Sequence, residues 1–262
     1  MHHTLKNLKN LKNLKNLKMP MNHSLDSLVH VNLGKSVYAM LRDALAAGRF
    51  RPNDRLRIRE LALQLGTSVT PVRDAMLQLV QEEALVLRSP RDFRVPVLSV
   101  ARYLEIRALR LELEGLGAAE AAQRIDAATL ADLERLLQAN EEAIARHDLA
   151  AALQCNQAFH LALAQAAGMP TLKRFVDHLW MQTAPLIAAG YASFSPDMRV
   201  GHHHAIISAL RQRDSAAARR AIEQDILDGG TQMLAYVMRQ ERIHAGTNEQ
   251  DKEEHDEHQA QD

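Results

Sequence analysis

The sequence has no apolar run approaching the roughly 18 residues that a membrane-spanning helix needs, so no part of it reads as a span. Its lysine-rich start has no apolar stretch behind it, so no secretory signal is visible either. Cys155 is the single cysteine, which excludes an internal disulfide and fits a reducing compartment, with the cytoplasm as the expected location. β-Branched residues are few beside Leu and Ala, so the fold class expected is mainly α.

Net charge is also absent: 32 Lys and Arg balance 32 Asp and Glu. The balance hides an asymmetry. Residues 1–98 hold 16 basic against 8 acidic side chains, and residues 99–262 hold 16 against 24. A basic module beside an acidic one suggests that only the first meets phosphate. Part of that excess is five lysines in a Leu-Lys-Asn repeat over residues 5–18. A period of three drifts around an α-helix and builds no apolar stripe. Residues 1–31 are therefore expected to be a low-complexity, disordered extension, with Met19 or Met21 as alternative starts. Residues 241–262 are acidic and poor in apolar side chains, and are expected to be a disordered tail.

Between these ends, residues 57–97 carry the densest signal. Ile58, Leu61, Ala62 and Leu65 share one face of a helix. Gly66 ends it, since glycine takes the left-handed cap without steric cost. Ser68 then caps a second helix, in whose first turn Pro71 gives up little. Val72, Ala75, Met76, Leu79 and Val80 form its buried stripe, leaving Val69, Thr70 and Arg73 outward. Leu85 and Leu87 alternate on one strand and Phe93, Val95 and Val97 on another, with Ser89-Pro90-Arg91-Asp92 as the turn. The pattern is a helix-turn-helix followed by a two-stranded wing, whose second helix would place its N-terminus in a DNA major groove. Candidate DNA contacts are Arg57, Arg59, Ser68, Val69, Thr70, Arg73, Arg91 and Arg94.

Residues 99–240 read as six helices joined by short turns, an antiparallel bundle. They run from Ser99 to about Arg124, Thr129 to Arg146, Asp148 to Ala167, Pro170 to Gly190 with a bend at Pro185, Ser195-Pro196 to about Arg213, and Asp214 to about Gln240.

Residues 32–97 resemble the winged helix-turn-helix of the GntR family of bacterial transcription regulators. The resemblance rests on VYAMLRDALAAGRFRPNDRLRIRELA and above all on TPVRDAM. Asn53 replaces the usual turn glycine, Val69 stands where many members carry an arginine, and Asp92 replaces a wing glycine. Residues 99–240 look like the FCD ligand-binding domain of the FadR subfamily. That resemblance rests on IRALRLELEGLGAAEAA at 106–122, NQAFHLALAQAAG at 156–168, HAIISAL at 204–210 and RDSAAARRAIEQDILDG at 213–229.

The second resemblance implies a divalent metal (Zn, Ni or Mn) held inside the bundle by one Asp and three His. Mapped onto this chain, the ligands are Asn156, His160, His203 and Asp225. Asn156 and His160 lie four apart, hence on one helical face. Two of the four depart from the usual types, but the set keeps the same ligand charge, −1. The resemblance also points Arg110 into the cavity as a partner for an effector carboxylate, with Arg107 as a second candidate. From the residues alone, Arg110 is equally an i,i+4 partner of Glu114 on a solvated face. His178 and Trp180 are candidates to line the pocket, with core packing the more ordinary role for Trp180.

The expected function is a homodimeric regulator, in the main a repressor, that binds a double-stranded operator and is released by a small organic acid. One alternative is a metal-dependent hydrolase using the same site. Against it, no Glu-x-x-His pair appears on the bundle helices, and the basic helix-turn-helix would go unexplained. Another is a regulator whose metal site is vestigial.

Overall fold

The computed structural model describes residues 31–191 and 201–259, with side chains over 33–190 and 202–243. The Leu-Lys-Asn repeat, both alternative starts and the Ser195-Pro196 helix start lie outside the described residues. Among those described are nine helices and three short strands.

The first module is α1 (Val31–Ala46), β1 (Arg55–Leu56), α2 (Ile58–Gln64), α3 (Val69–Gln81), β2 (Val86–Ser89) and β3 (Asp92–Arg94). The turn between α2 and α3 works as the sequence implies, with Gly66 at φ +62°. Ser68 stands at the N-cap of α3, but its side chain accepts no cap hydrogen bond. The donor that the other capped helices here use, the N–H three residues on, falls at Pro71, which has none. Asn53 takes φ +72°, as expected of a residue standing in for a turn glycine.

The wing has three strands rather than two, in the order β1-β3-β2. Arg55 pairs with Arg94 and Leu56 with Phe93, a two-residue strand too short to show a period. Leu87 stands opposite Phe93 and shares its face. Yet β2 is an edge strand and leaves Leu87 40% exposed, so the second apolar position of that strand is not core. The module's core is Leu41, Leu45, Leu56, Met76, Leu79, Leu85 and Phe93, with one outsider, Met181. Burying each such side chain is worth about 1.5–3 kcal/mol.

The bundle comprises α4 (Val100–Arg124), α5 (Ala127–Ala145), α6 (Leu149–Ala166), α7 (Pro170–Tyr191), α8 (Gly201–Arg211) and α9 (Ser215–Gln259). Ser99, Asp126 and Asp148 cap α4, α5 and α6 by accepting from the backbone N–H three residues on. α4 and α9 lie side by side, and Tyr103 fixes their approach by donating to Gly230 O at 2.9 Å. A Cβ at Gly230 would come within 2.9 Å of that hydroxyl, so the contact needs glycine. Two apolar clusters fill the bundle. One is built around Phe159, Leu163, Ile206 and Ile222, the other around Tyr103, Val176, Trp180 and Ile187.

α9 does not stop near Gln240: the helix continues to Gln259, where an unstructured tail was expected. Lack of apolar residues denies a segment a core but not a helix. Glu, Gln and Lys are strong helix formers, and the segment extends a helix already nucleated.

Candidate functional site

Two surfaces are built from the residues singled out above. On the first module, Val69 (48% exposed), Thr70 and Arg73 stand outward at the start of α3. Arg59 on α2, Arg73, Arg88 on β2 and Arg91 at the wing tip are all exposed, and no ion-pair partner is found for them among the described residues. A cation without a carboxylate partner is free to meet phosphate or a base edge. Arg57 instead bonds Glu60 at 2.7 Å.

Arg94 is not at a free tip. It is half-buried, bonds Asp92 at 3.2 Å and donates to Asn53 O at 3.2 Å. Arg55 reaches the same carboxylate at 3.1 Å. Asp92, in place of a wing glycine, thus pairs with two arginines and ties the half-buried Arg94 down, while Arg55 stays exposed. Arg88, not among the sequence candidates, takes its place on the exposed side.

The second surface is internal. α6 supplies His160, α8 His203 and α9 Asp225, whose ligand-capable atoms all lie within 4.8 Å of one another. His160 Nε2 is 3.2 Å from Asp225 Oδ2, and His203 Nε2 is 3.6 Å from Asp225 Oδ1. Of the three consecutive histidines on α8, only His203 turns inward. His202 bonds Asp228 at 2.7 Å and His204 bonds Glu141 at 2.7 Å, as the 100° step between helical neighbours requires. His203 is 1% exposed and stacks on Phe159 with ring centroids 4.2 Å apart. Among the described residues neither of its ring nitrogens has a hydrogen-bond partner. Asn156 is half-buried one turn before His160 and makes no hydrogen bond to the cluster.

The residue that sequence reasoning missed as part of the site is Glu114. Its Oε2 lies 2.6 Å from His160 Nδ1, and its Oε1 accepts from Arg110 Nε at 2.6 Å. The i,i+4 pair of Arg110 and Glu114 exists, but it is buried rather than solvated. A spacing of four reads the same on either face, so only its neighbours Ile106, Gly117 and Ala121 hinted at the inner one. Trp180 on α7 closes this side. Its ring lies 4.2 Å from the Arg110 guanidinium and 4.8 Å from the His160 ring. It packs in the core and borders the site at once. Arg107 is elsewhere, over the Tyr103 ring, and His178 is half-buried on α7 and is not one of the three clustered side chains.

Electrostatics follow from this arrangement. Burial alone would push the Glu114 carboxyl up, but the Arg110 guanidinium and His160 hold it well below the usual range. Burial likewise opposes charge on Asp225, yet its bond to His160 holds it low. Burial would lower His160, but Glu114 and Asp225 on its two nitrogens raise it. Burial lowers His203 to about 4 and keeps it neutral, against the pull of Asp225.

The donor set suits a divalent ion. Two imidazoles and a carboxylate converge, and Glu114 fixes His160 so that Nε2 faces the cluster. The orphaned nitrogens of His203 are groups whose burial is costly without a partner.

Residues 33–95 match the bacterial regulatory proteins of the gntR family, and residues 105–228 match the FCD domain. The HTH-type transcriptional regulator McbR of Escherichia coli (strain K12) is 31% identical over 198 residues, which is 74% of this chain and 90% of McbR. The HTH-type transcriptional repressor RspR of the same strain is 27% identical over 74% of this chain and 86% of its own. The solved structure of E. coli McbR/YncC aligns with a TM-score of 0.72 at 30% identity, over 80% of this chain and 99% of that one. A putative transcriptional regulator GntR from Rhodococcus sp. RHA1, 23% identical, shares the fold with a TM-score of 0.66 over 77% of this chain and 97% of its own. The chain therefore belongs to the GntR family of bacterial regulatory proteins, with a winged helix-turn-helix joined to an FCD domain.

Proposed function

We propose that this protein is a transcription regulator that binds an operator as a homodimer, acts as a repressor, and is released by a small carboxylate bound beside a divalent ion in the bundle. The observation that carries the DNA-binding part is the exposed set Arg59, Arg73, Arg88 and Arg91 on the helix-turn-helix and wing, for which no ion-pair partner is found among the described residues. Ser68 adds an exposed hydroxyl that is not spent on a cap, beside backbone N–H groups that favour a phosphate oxygen. A second copy is supported by Leu109 and Leu116, exposed seven residues apart on α4. Two copies related by a two-fold axis imply two half-sites.

His160, His203 and Asp225 would hold the ion, with Asn156 as a weak fourth donor. When bound, the ion supplies a cationic centre to which an acid group coordinates. Arg110 and Glu114 neutralise each other, so the residues around the ion leave a net −1 from Asp225. With a dication the site is +1, which matches a monocarboxylate. The Nη donors of Arg110 remain for that carboxylate, since only its Nε is taken by Glu114. A hydrolytic use of the site gains no support: Glu114, the other carboxylate here, is locked between Arg110 and His160 and is not placed to activate water.

The test is selection of duplexes from a random pool on the full chain, followed by gel shift. Recovery of a two-half-site sequence that Arg73→Ala binds more weakly supports the reading. Failure to recover any bound duplex overturns it.

A further inference from the structure

Helix α7 carries two stripes of side chains, one wholly apolar and one that includes Asp177, and they meet different parts of the molecule. Leu172, Val176, Trp180 and Ile187 pack into the bundle, where Trp180 borders Arg110 and His160. Asp177 and Met181 face the DNA-binding module instead, and Ala188 touches both sides. Asp177 pairs with Arg42 of α1. Met181 is 1% exposed and belongs to the module's own core, beside residues such as Leu45 and Met76. Ala188 lies so close to Gly48, which follows α1, that a Cβ at Gly48 would collide with its methyl group. The spacings of four and seven set each stripe, and the 100° step between neighbours turns Trp180 and Met181 to opposite tasks.

The contact is reinforced at its edge. Arg102 of α4 bonds Gln182 at 3.0 Å and pairs with Glu83, just after α3. The interface is also incompletely filled. A cleft of ≈ 170 Å3 opens between Pro52, Asn53 and Val97 on one side and Gln182, Leu186 and Tyr236 on the other. A module seated on α7 through Met181, the Gly48–Ala188 approach and the Asp177 and Glu83 ion pairs, next to free volume, has room to re-seat without opening a new cavity.

We infer that α7 is the coupling element between the internal site and the DNA-binding module, with Met181 as the residue that passes a displacement of Trp180 to the base of the helix-turn-helix, given the DNA-binding reading above. A ligand that pushes on the Trp180 ring moves the helix that carries Met181. The packed core around Met76 and Leu79 then has to follow, because close-packed side chains transmit shifts rather than absorb them. Linkage makes the effect reciprocal: DNA on the module changes the environment of Trp180.

The chain has a single tryptophan, so its emission reports the site alone. The experiment uses the full chain, freed of metal with a chelator, and a duplex recovered by selection on the protein itself. Saturating duplex is expected to shift or quench Trp180 emission in the wild type. Met181→Ala is expected to keep duplex binding through Arg59 and Arg73 but lose that response, and Met181→Leu, which conserves volume, to keep both. If Met181→Ala does not fold, Arg42→Gln cuts the Asp177 pair without touching the core and is expected to weaken the response. Wild-type emission that ignores bound duplex, or a folded Met181→Ala that responds like wild type, overturns the coupling. Absence of any bound duplex instead removes the DNA-binding reading, and the coupling with it.

Discussion

Glu114 holds His160 and Arg110 at once, each at 2.6 Å, one on each carboxylate oxygen. This contact joins the imidazole that faces Asp225 to the guanidinium that packs on the Trp180 ring. It also fixes which nitrogen of His160 is available, since Nδ1 is committed to Glu114 and Nε2 is turned to Asp225.

Glu114→Gln is therefore expected to fold and to bind Zn2+ about 10–100-fold more weakly, the usual effect of losing a carboxylate behind a histidine ligand. Glu114→Ala leaves the Arg110 charge buried without its partner and is expected to cost about 3–5 kcal/mol of stability. Calorimetric Zn2+ titration and denaturant melts check the two. Unchanged Zn2+ affinity in the Gln variant would remove Glu114 from the site.

Arg73→Ala is expected to lose about 1–3 kcal/mol of discrimination at one operator position if the side chain reads a base edge. Gel shifts over single-base operator variants measure this. Arg94→Ala is expected to change affinity little beyond its effect on the wing, because Arg94 is held by Asp92 and Asn53. Equal losses for both would mean that the wing opens on DNA.

Much of this was legible in the sequence because its signals are local. The α2–turn–α3 unit follows from a four-residue apolar stripe and a glycine that needs a left-handed φ, and both are where they were read. The inward turn of His203 alone follows from helical geometry. What was not legible depends on neighbours distant in sequence. Glu114 reads as an ordinary helix pair until α6 is placed against it. Arg94 reads as a wing-tip cation until Asp92 and Arg55 meet across strands. The β1 strand is two residues long and has no pattern to find, and no local signal marks Met181, which lies on a bundle helix but packs in the other module's core.

Gly48→Ala is expected to destabilise the protein by more than about 1–2 kcal/mol. Gly48 sits at φ +68°, which costs an L-residue about that much by itself, and the added methyl meets Ala188. A urea melt reads the loss. Wild-type stability in this variant would mean that α1 and α7 are not in contact in solution.

His160 carries a raised proton affinity, from an ordinary 6.5 to about 9. Its charged form stabilises the metal-free fold fully below pH 6.5, and that contribution is lost as pH rises through about 9. His203, lowered to about 4, acts the other way, since keeping it neutral costs stability as pH falls below 6.5. Chelator-treated protein is thus expected to be most stable near pH 6.5 and to lose stability toward pH 9. His160→Asn should lack that alkaline fall. A profile flat from 6.5 to 9 in the wild type would contradict the charged His160.

The measurement that tests the central claim most directly is metal content together with thermal shift, on wild type, His203→Ala and Asn156→Asp. The wild type is expected to bind one divalent ion per chain and to gain about 2.7 kcal/mol at a hundred times the dissociation constant, because the ion ties α6, α8 and α9 together only in the folded state. His203→Ala is expected to lose that gain and keep its DNA-binding module folded, and Asn156→Asp to tighten the ion. A wild type that carries no metal, and whose melting none of Zn2+, Ni2+ and Mn2+ shifts, would contradict the claim and leave a purely organic pocket.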